Sequence, residues 1–436
     1  MRDGFRLSPG TEMTGDLLAE MLGDYRAHEC GRFEALRKEY EGDHPILHKP
    51  PKAAYKPDNR LVTNFPRQIV DTMVGYFLGV PITVTGDDAQ AVEWIDDWDA
   101  RVGSDDIDAE ISKTCDVYGS AFEVLWRDSE AYPQTSVRTP GECFMVRDDT
   151  VAEAPMYAVR FYDDRNRYDM EPDCVRGTLY TPTHEVPFEW SGDVRFADPV
   201  PHGFPGVPVI EYVENRERKG LFEDVLTLVH AYEDAISEKA NDVDYYADAY
   251  LSILGAELDE ETLRQLRDSR IINLASADLQ NVSVSFLGKP ESDATQENLI
   301  NRLERLIFTL SMVADISDED FGTASGIAIR YRLQAMSDLA LVKERKFRKG
   351  LMERWRLLFG YAGTTGVASD AWMRLRPVFK RNEPANLLEE SQIAANLAGI
   401  VSEETQLSIL SCVDSVRDEM ARKDEGMEPV APRVAG

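Results

Sequence analysis

No run of 18 apolar residues occurs in these 436 residues, so no segment has the length and hydrophobicity of a membrane-spanning helix. The N-terminal stretch MRDGFRLSPGTEMTGD lacks the apolar centre of a signal peptide, which points to a cytoplasmic protein. Cysteine is scarce and odd in number: Cys30, Cys115, Cys143, Cys174 and Cys412 are far apart and none forms C-x-x-C. They read as reduced, mostly buried thiols, with no disulfide framework or zinc site. Positive charge is scarce too. With 48 Lys and Arg against 79 Asp and Glu, the formal charge is −31. A free-standing DNA binder is basic, because neutralised phosphates supply its affinity, so most of this surface does not grip nucleic acid.

Catalytic signatures are missing as well. The chain has no G-x-x-x-x-G-K-[ST], no G-x-G-x-x-G after a strand, no H-E-x-x-H and no G-x-S-x-G. The six histidines (28, 44, 48, 184, 202 and 230) are scattered and read as structural or solvated. Asp315, Asp318, Glu319 and Asp320 are close enough in sequence to hold Mg²⁺, but Gly322 misses the EF-hand register. Two-metal nucleases also draw their acids from several elements. No catalytic residue, metal or cofactor is therefore expected, and an acidic-residue, metal-dependent nuclease acting on DNA is the alternative reading.

What the sequence does contain is helix. Residues 326–359 are its longest uninterrupted helical signal, a rod of roughly 50 Å at about 1.5 Å per residue. Met336, Leu339, Phe347, Leu351, Trp355 and Phe359 form one apolar stripe along it. The same helix is the basic exception in an acidic chain. Arg330, Arg332, Lys343, Arg345, Lys346, Arg348, Lys349, Arg354 and Arg356 outnumber Asp338, Glu344 and Glu353. Such a helix pairs with acids of its own chain or of a neighbouring subunit. The acidic, small-residue loop 315–325 immediately precedes it, with Ser325 placed as an N-cap.

Before that stretch the chain reads as α+β. One helix is predicted over 14–40, a Pro- and Lys-rich loop over 43–60, a helix at Phe65–Leu78, a strand at Ile82 and Val84, and two helices within 88–117. Ala121–Trp126 and then Met156–Tyr162, Val175–Tyr180, Val186–Trp190 and Val207–Tyr212 read as strands of a largely antiparallel sheet. From Leu221 to Ala247 a helical apolar stripe alternates with a dense acidic face. Residues 252–289 form a small insert, with a short helix at 259–267 and strands at Arg270–Leu274 and Val282–Phe286. The helix after it carries Leu299, Leu303, Leu306, Leu310 and Val313 at heptad-like spacing. Trp372–Phe379 reads as an edge strand, because it contains Pro377. Two last helices cover 386–400 and Ser402–Met420.

Eight pieces in this order resemble the portal (head-to-tail connector) proteins of tailed bacteriophages, specifically of siphophages. They are YEGDHPILHKP (40–50), NRLVTNFPRQIVDTMVGYFLGVPI (59–82), YGSAFEVLW (118–126), HGFPGVPVIEYVEN (202–215), FEDVLTLVHAYEDAISEKANDVDYYADAYL (222–251), FGTASGIAIRYRL (321–333), FKRNEPANLLEE (379–390) and GIVSEETQLSIL (399–410). The resemblance implies a portal fold: an α+β wing (1–217), stem helices (218–252 and 291–314) and a small α/β clip (253–290). A tunnel loop (315–325), the long helix with a return to the wing (326–385), a helical crown (386–424) and a disordered tail (425–436) complete it.

The resemblance also implies a homo-oligomeric ring, usually a dodecamer, at one vertex of the capsid. Double-stranded DNA passes through it during packaging and ejection. The implied partners are the terminase large subunit, the head-completion adaptor, and the major capsid and scaffolding proteins; no membrane is involved. The place is the virion, and the host cytoplasm during assembly. Asp318, Glu319, Asp320, Phe321, Gly322, Thr323, Ala324 and Ser325 then form a DNA-facing tunnel loop, and Glu233, Asp234, Glu238 and Asp242 line the channel. Arg345, Lys346, Arg348 and Lys349 make the subunit contact. Acids on a channel wall repel phosphates evenly, so that the duplex slides without sticking.

Overall fold

The computed structural model describes residues 4–54, 56–164, 174–247, 251–254, 283–286, 293–315, 326–382, 387–410, 412–413 and 416–426. Within them the chain is mixed α+β, as expected. Where one helix is predicted over 14–40, two form: α1 (Gly15–His28) and α2 (Cys30–Glu41). Thr14 caps α1, accepting from the Leu17 amide at 3.3 Å. The break at Glu29 serves two cores. Leu18, Met21 and Leu22 of α1 pack against a sheet, whereas Leu36 of α2 enters the main helical core. One straight rod could not turn its stripe toward both.

The next helices fall where the sequence places them: α3 (Phe65–Leu78), α4 (Ala89–Val102) and α5 (Ser104–Tyr118). Asn64 caps α3 and Asp88 caps α4. Gly119, at φ +86°, ends α5. A Cβ there would stand 2.2 Å from the Arg218 carbonyl oxygen, so only glycine fits.

In chain order the strands through the first half are β1 (Phe5–Leu7), β2 (Thr83–Gly86), β3 (Ser120–Arg127), β4 (Pro133–Arg138), β5 (Cys143–Asp148), β6 (Pro155–Asp164) and β7 (Cys174–Tyr180). Then come β8 (His184–Trp190), β9 (Val194–Phe196), β10 (Val200–Pro201) and β11 (Val209–Val213). A seven-stranded sheet has the order β1-β5-β6-β7-β8-β10, with β9 also on β8. It is antiparallel except where β1, a strand the sequence pattern does not announce, joins β5 in parallel. A second sheet has the order β11-β3-β4, with Tyr212 opposite Ala121.

Helices α6 (Leu226–Ala247) and α7 (Asp293–Ser311) flank an antiparallel pair of strands, β12 (Leu251–Leu254) and β13 (Ser283–Phe286). Where the stem helix is expected to run through 252, its described part is Leu226–Ala247, and Leu251–Leu254 is a strand. Its register sets Leu251 opposite Phe286 and Ile253 opposite Val284, and both segments carry the period-two pattern of a strand. The predicted helix at 259–267 and the strand at Arg270–Leu274 lie outside the described residues. Of the stripe predicted for α7 and just past it, Leu303 and Val313 are buried, while Ile300 and Ile307 pack in place of Leu299 and Leu306, leaving Leu299 and Leu310 more than half exposed. Gln296 donates to Asp242 at 3.1 Å and Phe308 lies near Phe65, which meets Tyr232 edge to face, so α7 runs antiparallel to α6.

The long helix, α8, spans Gly326–Phe359 as predicted. Its stripe of Met336, Phe347, Leu351, Trp355 and Phe359 is buried in the core that α3, α4 and α5 share. Strand β14 (Leu375–Val378) pairs with β2, placing Pro377 opposite Val84 in a two-stranded sheet where each strand is an edge. Helix α9 (Leu387–Asn396) follows. The predicted last helix is instead two, α10 (Glu403–Leu407) and α11 (Val416–Gly426). Ser402 caps α10 as expected, accepting from the Thr405 amide at 3.3 Å, while the Ser408 hydroxyl takes the Thr405 carbonyl in competition with helix propagation.

Candidate functional site

The acidic face of α6 is not bare. The described residues of the Pro- and Lys-rich loop (43–60), with Leu61 and Thr63 after it, lie along it as a strap. Lys49 Nζ reaches Asp234 Oδ1 at 2.5 Å and Lys52 Nζ reaches Glu238 Oε1 at 2.6 Å. The Asn59 amide donates to Asn241 Oδ1 at 2.7 Å, and its side chain donates to Asp244 Oδ2 at 2.6 Å. Leu61 N–H donates to Ser237 Oγ, and Thr63 N–H to Glu233 Oε1. Prolines explain the strap's form. Pro45 opens a short 3-10 turn (Pro45–His48), while Pro50, Pro51 and Pro57 lack the amides that would continue it as a helix or sheet.

Glu233 is the strap's deepest anchor. It is wholly buried, and His44 Nδ1 lies 2.6 Å from its Oε1. On its other side His44 Nε2 contacts the Glu39 carbonyl at 2.8 Å, and His230 Nε2 lies 2.9 Å from Glu39 Oε1. Burial alone would lower the His44 pKa, but the bonds to Glu233 and Glu39 outweigh it and raise the pKa above the ordinary imidazole value. The expectation that Glu233 faces a channel is thus corrected: its charge is spent inside its own chain. Asp234 and Glu238 stay half-exposed while paired with the strap, and Asp242 faces Gln296 of α7.

The basic helix α8 divides its charges by side. Lys343 and Arg354, 11 residues or about three turns apart, are both buried on its inner side. Lys343 Nζ pairs with Asp116 of α5 and, at 3.0 Å, with Glu214 Oε2 beyond β11. Arg354 Nη2 lies 2.6 Å from Asp108 Oδ1 of α5, and its Nε lies 2.8 Å from Glu123 Oε1 of β3. Tyr212 OH donates to Glu123 Oε2 at 2.8 Å and Thr135 Oγ1 donates to Oε1 at 2.6 Å. Each cation thus meets two carboxylates. Burial, against the pull of Lys343 and helped by Glu214, pushes the Asp116 carboxyl well above its usual range.

Arg348 and Arg356 pair along the helix with Glu344 and Glu353, and Arg381 also reaches Glu344 at 2.7 Å. Arg345 and Lys349 are exposed and Lys346 is half-buried, with no ion pair to another described residue. The loop Asp318, Glu319, Asp320, Phe321, Gly322, Thr323, Ala324 and Ser325 lies outside the described residues, between the end of α7 and the start of α8. Among the described residues no three His, Cys, Asp or Glu side chains group as a metal site, and no helix is long and apolar enough to cross a membrane. Cys115 and Cys143 are buried, Cys30 and Cys174 half-buried, and Cys412 is exposed; all five are free.

Sequence reading missed the strap lysines, His44 and the burial of Lys343 and Arg354. A signal existed for the strap: Lys49 and Lys52, three apart, answer Asp234 and Glu238, four apart on one helix face.

Comparison with known proteins assigns the chain to a class. A family model described as "Phage portal protein, SPP1 Gp6-like" matches residues 22–428. The chain is 24% identical over 401 residues to a portal protein of Bacillus phage SPP1, covering 86% of this chain and 78% of that one. It is 22% identical over 224 residues to a portal protein of Clostridium phage phiCD119, covering 50% and 48%. The chain belongs to this family of phage portal proteins.

Proposed function

We propose that the protein forms a ring at one capsid vertex and that double-stranded DNA passes through it in packaging and ejection. The observation that carries this reading is the family match over 22–428, which takes in α6, the β12–β13 strand pair, α7 and α8 as one series. In this reading the wing is 1–217, the stem helices lie in 218–252 and 291–314, and the clip is 253–290. The tunnel loop is 315–325, followed by the long helix and wing return (326–385) and the crown (386–424). The clip docks the terminase large subunit during packaging and the head-completion adaptor afterwards. Capsid and scaffolding proteins contact the ring during assembly in the host cytoplasm, and the protein's final place is the virion.

In this reading Glu233, buried against His44, takes no part in the channel wall, and Asp234 and Glu238 are partly neutralised by Lys49 and Lys52. Repulsion of phosphate then falls mainly to Asp318, Glu319 and Asp320. Native mass of the purified protein, with negative-stain images, is the first test: rings of about a dozen chains with a central hole are expected. Monomers that stay monomeric even with capsid and scaffolding proteins present would overturn the reading. Asp318→Asn, Glu319→Gln and Asp320→Asn together should then alter packaging or DNA retention in vitro; unchanged behaviour would remove the channel role of those acids.

A further inference from the structure

The outward side of α8 has a matching surface elsewhere on the same chain. At 100° per residue, Arg345, Arg348 and Lys349 project opposite to Lys343, Phe347 and Arg354, which are buried. Three large apolar side chains share that outward side: Tyr331 is 78% exposed, and Leu341 and Val342 are 48% exposed each. Between Tyr331 and Leu341 the same side carries Gln334, which donates to Asp338 at 2.9 Å; past Val342 the stripe is basic, in a chain of net charge −31. A solvated helix face has no need of exposed tyrosine, leucine and valine in register.

The complementary surface is on α4 and α5. Helix α4 buries Ala91, Ile95 and Trp98 and exposes Glu93, Asp96 and Asp97. Helix α5 buries Asp108, Ile111, Ser112 and Cys115 and exposes Asp106 and Glu110. Because Asp108 and Asp116 of α5 reach Arg354 and Lys343, α5 lies beneath the inner side of α8. The inner stripes of α4, α5 and α8 meet in one core. The basic stripe and the acidic surface therefore face away from each other, on opposite sides of one packed layer. They cannot meet within a chain, but they can meet between chains arranged head to tail. Contacts of that heterologous kind give a ring when the rotation between copies closes.

We propose that the outward stripe of α8, with Arg345 and Lys349 at its charged end, docks on the α4–α5 surface of the next copy, against Asp96, Asp97 and Asp106. This rests on the ring reading and names the two faces that make the ring. Apolar contacts through Tyr331, Leu341 and Val342 supply adhesion, and the charges fix which face meets which.

The test uses the full-length chain and two charge reversals, Arg345→Glu/Lys349→Glu and Asp96→Lys/Asp97→Lys. Circular dichroism and melting first confirm that both variants fold, as expected for exposed positions. Sedimentation then reads the ring fraction. Each variant alone should assemble at least about tenfold more weakly than the unaltered protein, because like charges meet at every contact. An equimolar mixture of the two should assemble again, since alternating copies restore opposite charge at every contact. Rings from either variant alone would overturn this pairing and leave the ring itself standing. So would two variants that fail both alone and mixed. An unaltered protein that forms no ring would remove the ring reading and the pairing with it.

Discussion

Gly350, in the middle of α8, lies directly against the ring of Tyr212: a Cβ built on it would stand 2.2 Å from Cε1. Glycine weakens a helix by about 1 kcal/mol against alanine. It is tolerated here because α8 must approach β11 closely enough for both ionic anchors to form. Tyr212 cannot move aside, since its hydroxyl is committed to Glu123 and its ring packs 5.0 Å from Phe347. Gly350→Ala should therefore destabilise the protein by about 1–3 kcal/mol through overpacking, despite the gain in helix propensity. Urea unfolding measures it, and Gly350→Ala/Tyr212→Leu should recover part of the loss.

Arg354 is a stronger case, because it is the only cation bonded to Asp108 and Glu123 among the described residues. Arg354→Met keeps the hydrophobic stem but leaves two carboxylates buried without their partner. The expected cost is about 3–5 kcal/mol, the usual result of breaking one side of a buried pair. Arg354→Met/Asp108→Asn/Glu123→Gln should be clearly more stable than Arg354→Met alone. A double-mutant cycle separates the pair from the rest of the network.

These two relationships also mark what could be read from the sequence. The apolar period of α8 predicted the helix, its length and its packed stripe, because a 3.6-residue repeat depends on the helix alone. That Lys343 and Arg354 share the stripe's side follows from the same wheel, but charge argued for the surface, and only Asp116, Glu214, Asp108 and Glu123 on three other elements reverse that. Glu233 is the same lesson in the opposite sign. Its place in a dense acidic face suggested water or a channel, whereas His44, 189 residues earlier, buries it. Local order gave α3, α4, α5 and most strands. It placed Leu303 and Val313 correctly but chose Leu299 and Leu306 over Ile300 and Ile307, because neighbours that are equally apolar are told apart only by the partner helix.

Asp99 makes the fold sensitive to pH. Burial pushes its carboxyl up to about 7, even though Arg354 and Ser104 pull it down. A carboxyl raised above its unfolded value is protonated in the native state while the unfolded chain has already lost the proton. Stability then falls as pH rises from about 4 to about 7. Asp99→Asn keeps a neutral side chain throughout. It should match the unaltered protein at pH 4 and exceed it at pH 8, with an upper limit on the order of 4 kcal/mol. Urea midpoints across this range decide it, and an equal effect at both pH values would count against a titrating Asp99.

The strap sets surface pairs against one buried anchor. Lys49 and Lys52 pair with half-exposed acids, and such pairs are worth about 0–1 kcal/mol each and weaken in salt. Lys49→Ala/Lys52→Ala should thus leave stability nearly unchanged. His44 is different, since it is wholly buried between Glu233 and Glu39. His44→Ala leaves the Glu233 carboxylate buried with the Thr63 amide and should free residues 43–63 to hydrogen exchange. The pH dependence has a definite sign. Because the pKa of His44 is raised by its bonds to Glu233 and Glu39, the stabilisation is complete below the ordinary imidazole value. It is lost as pH rises through the higher folded value. Protection of the amides of Asn59, Leu61 and Thr63, corrected for intrinsic exchange, should therefore fall from pH 6 toward pH 9. In His44→Gln it should be lower at pH 6 and flat across the range, and protection that rises with pH in the unaltered protein would sink this account of the anchor.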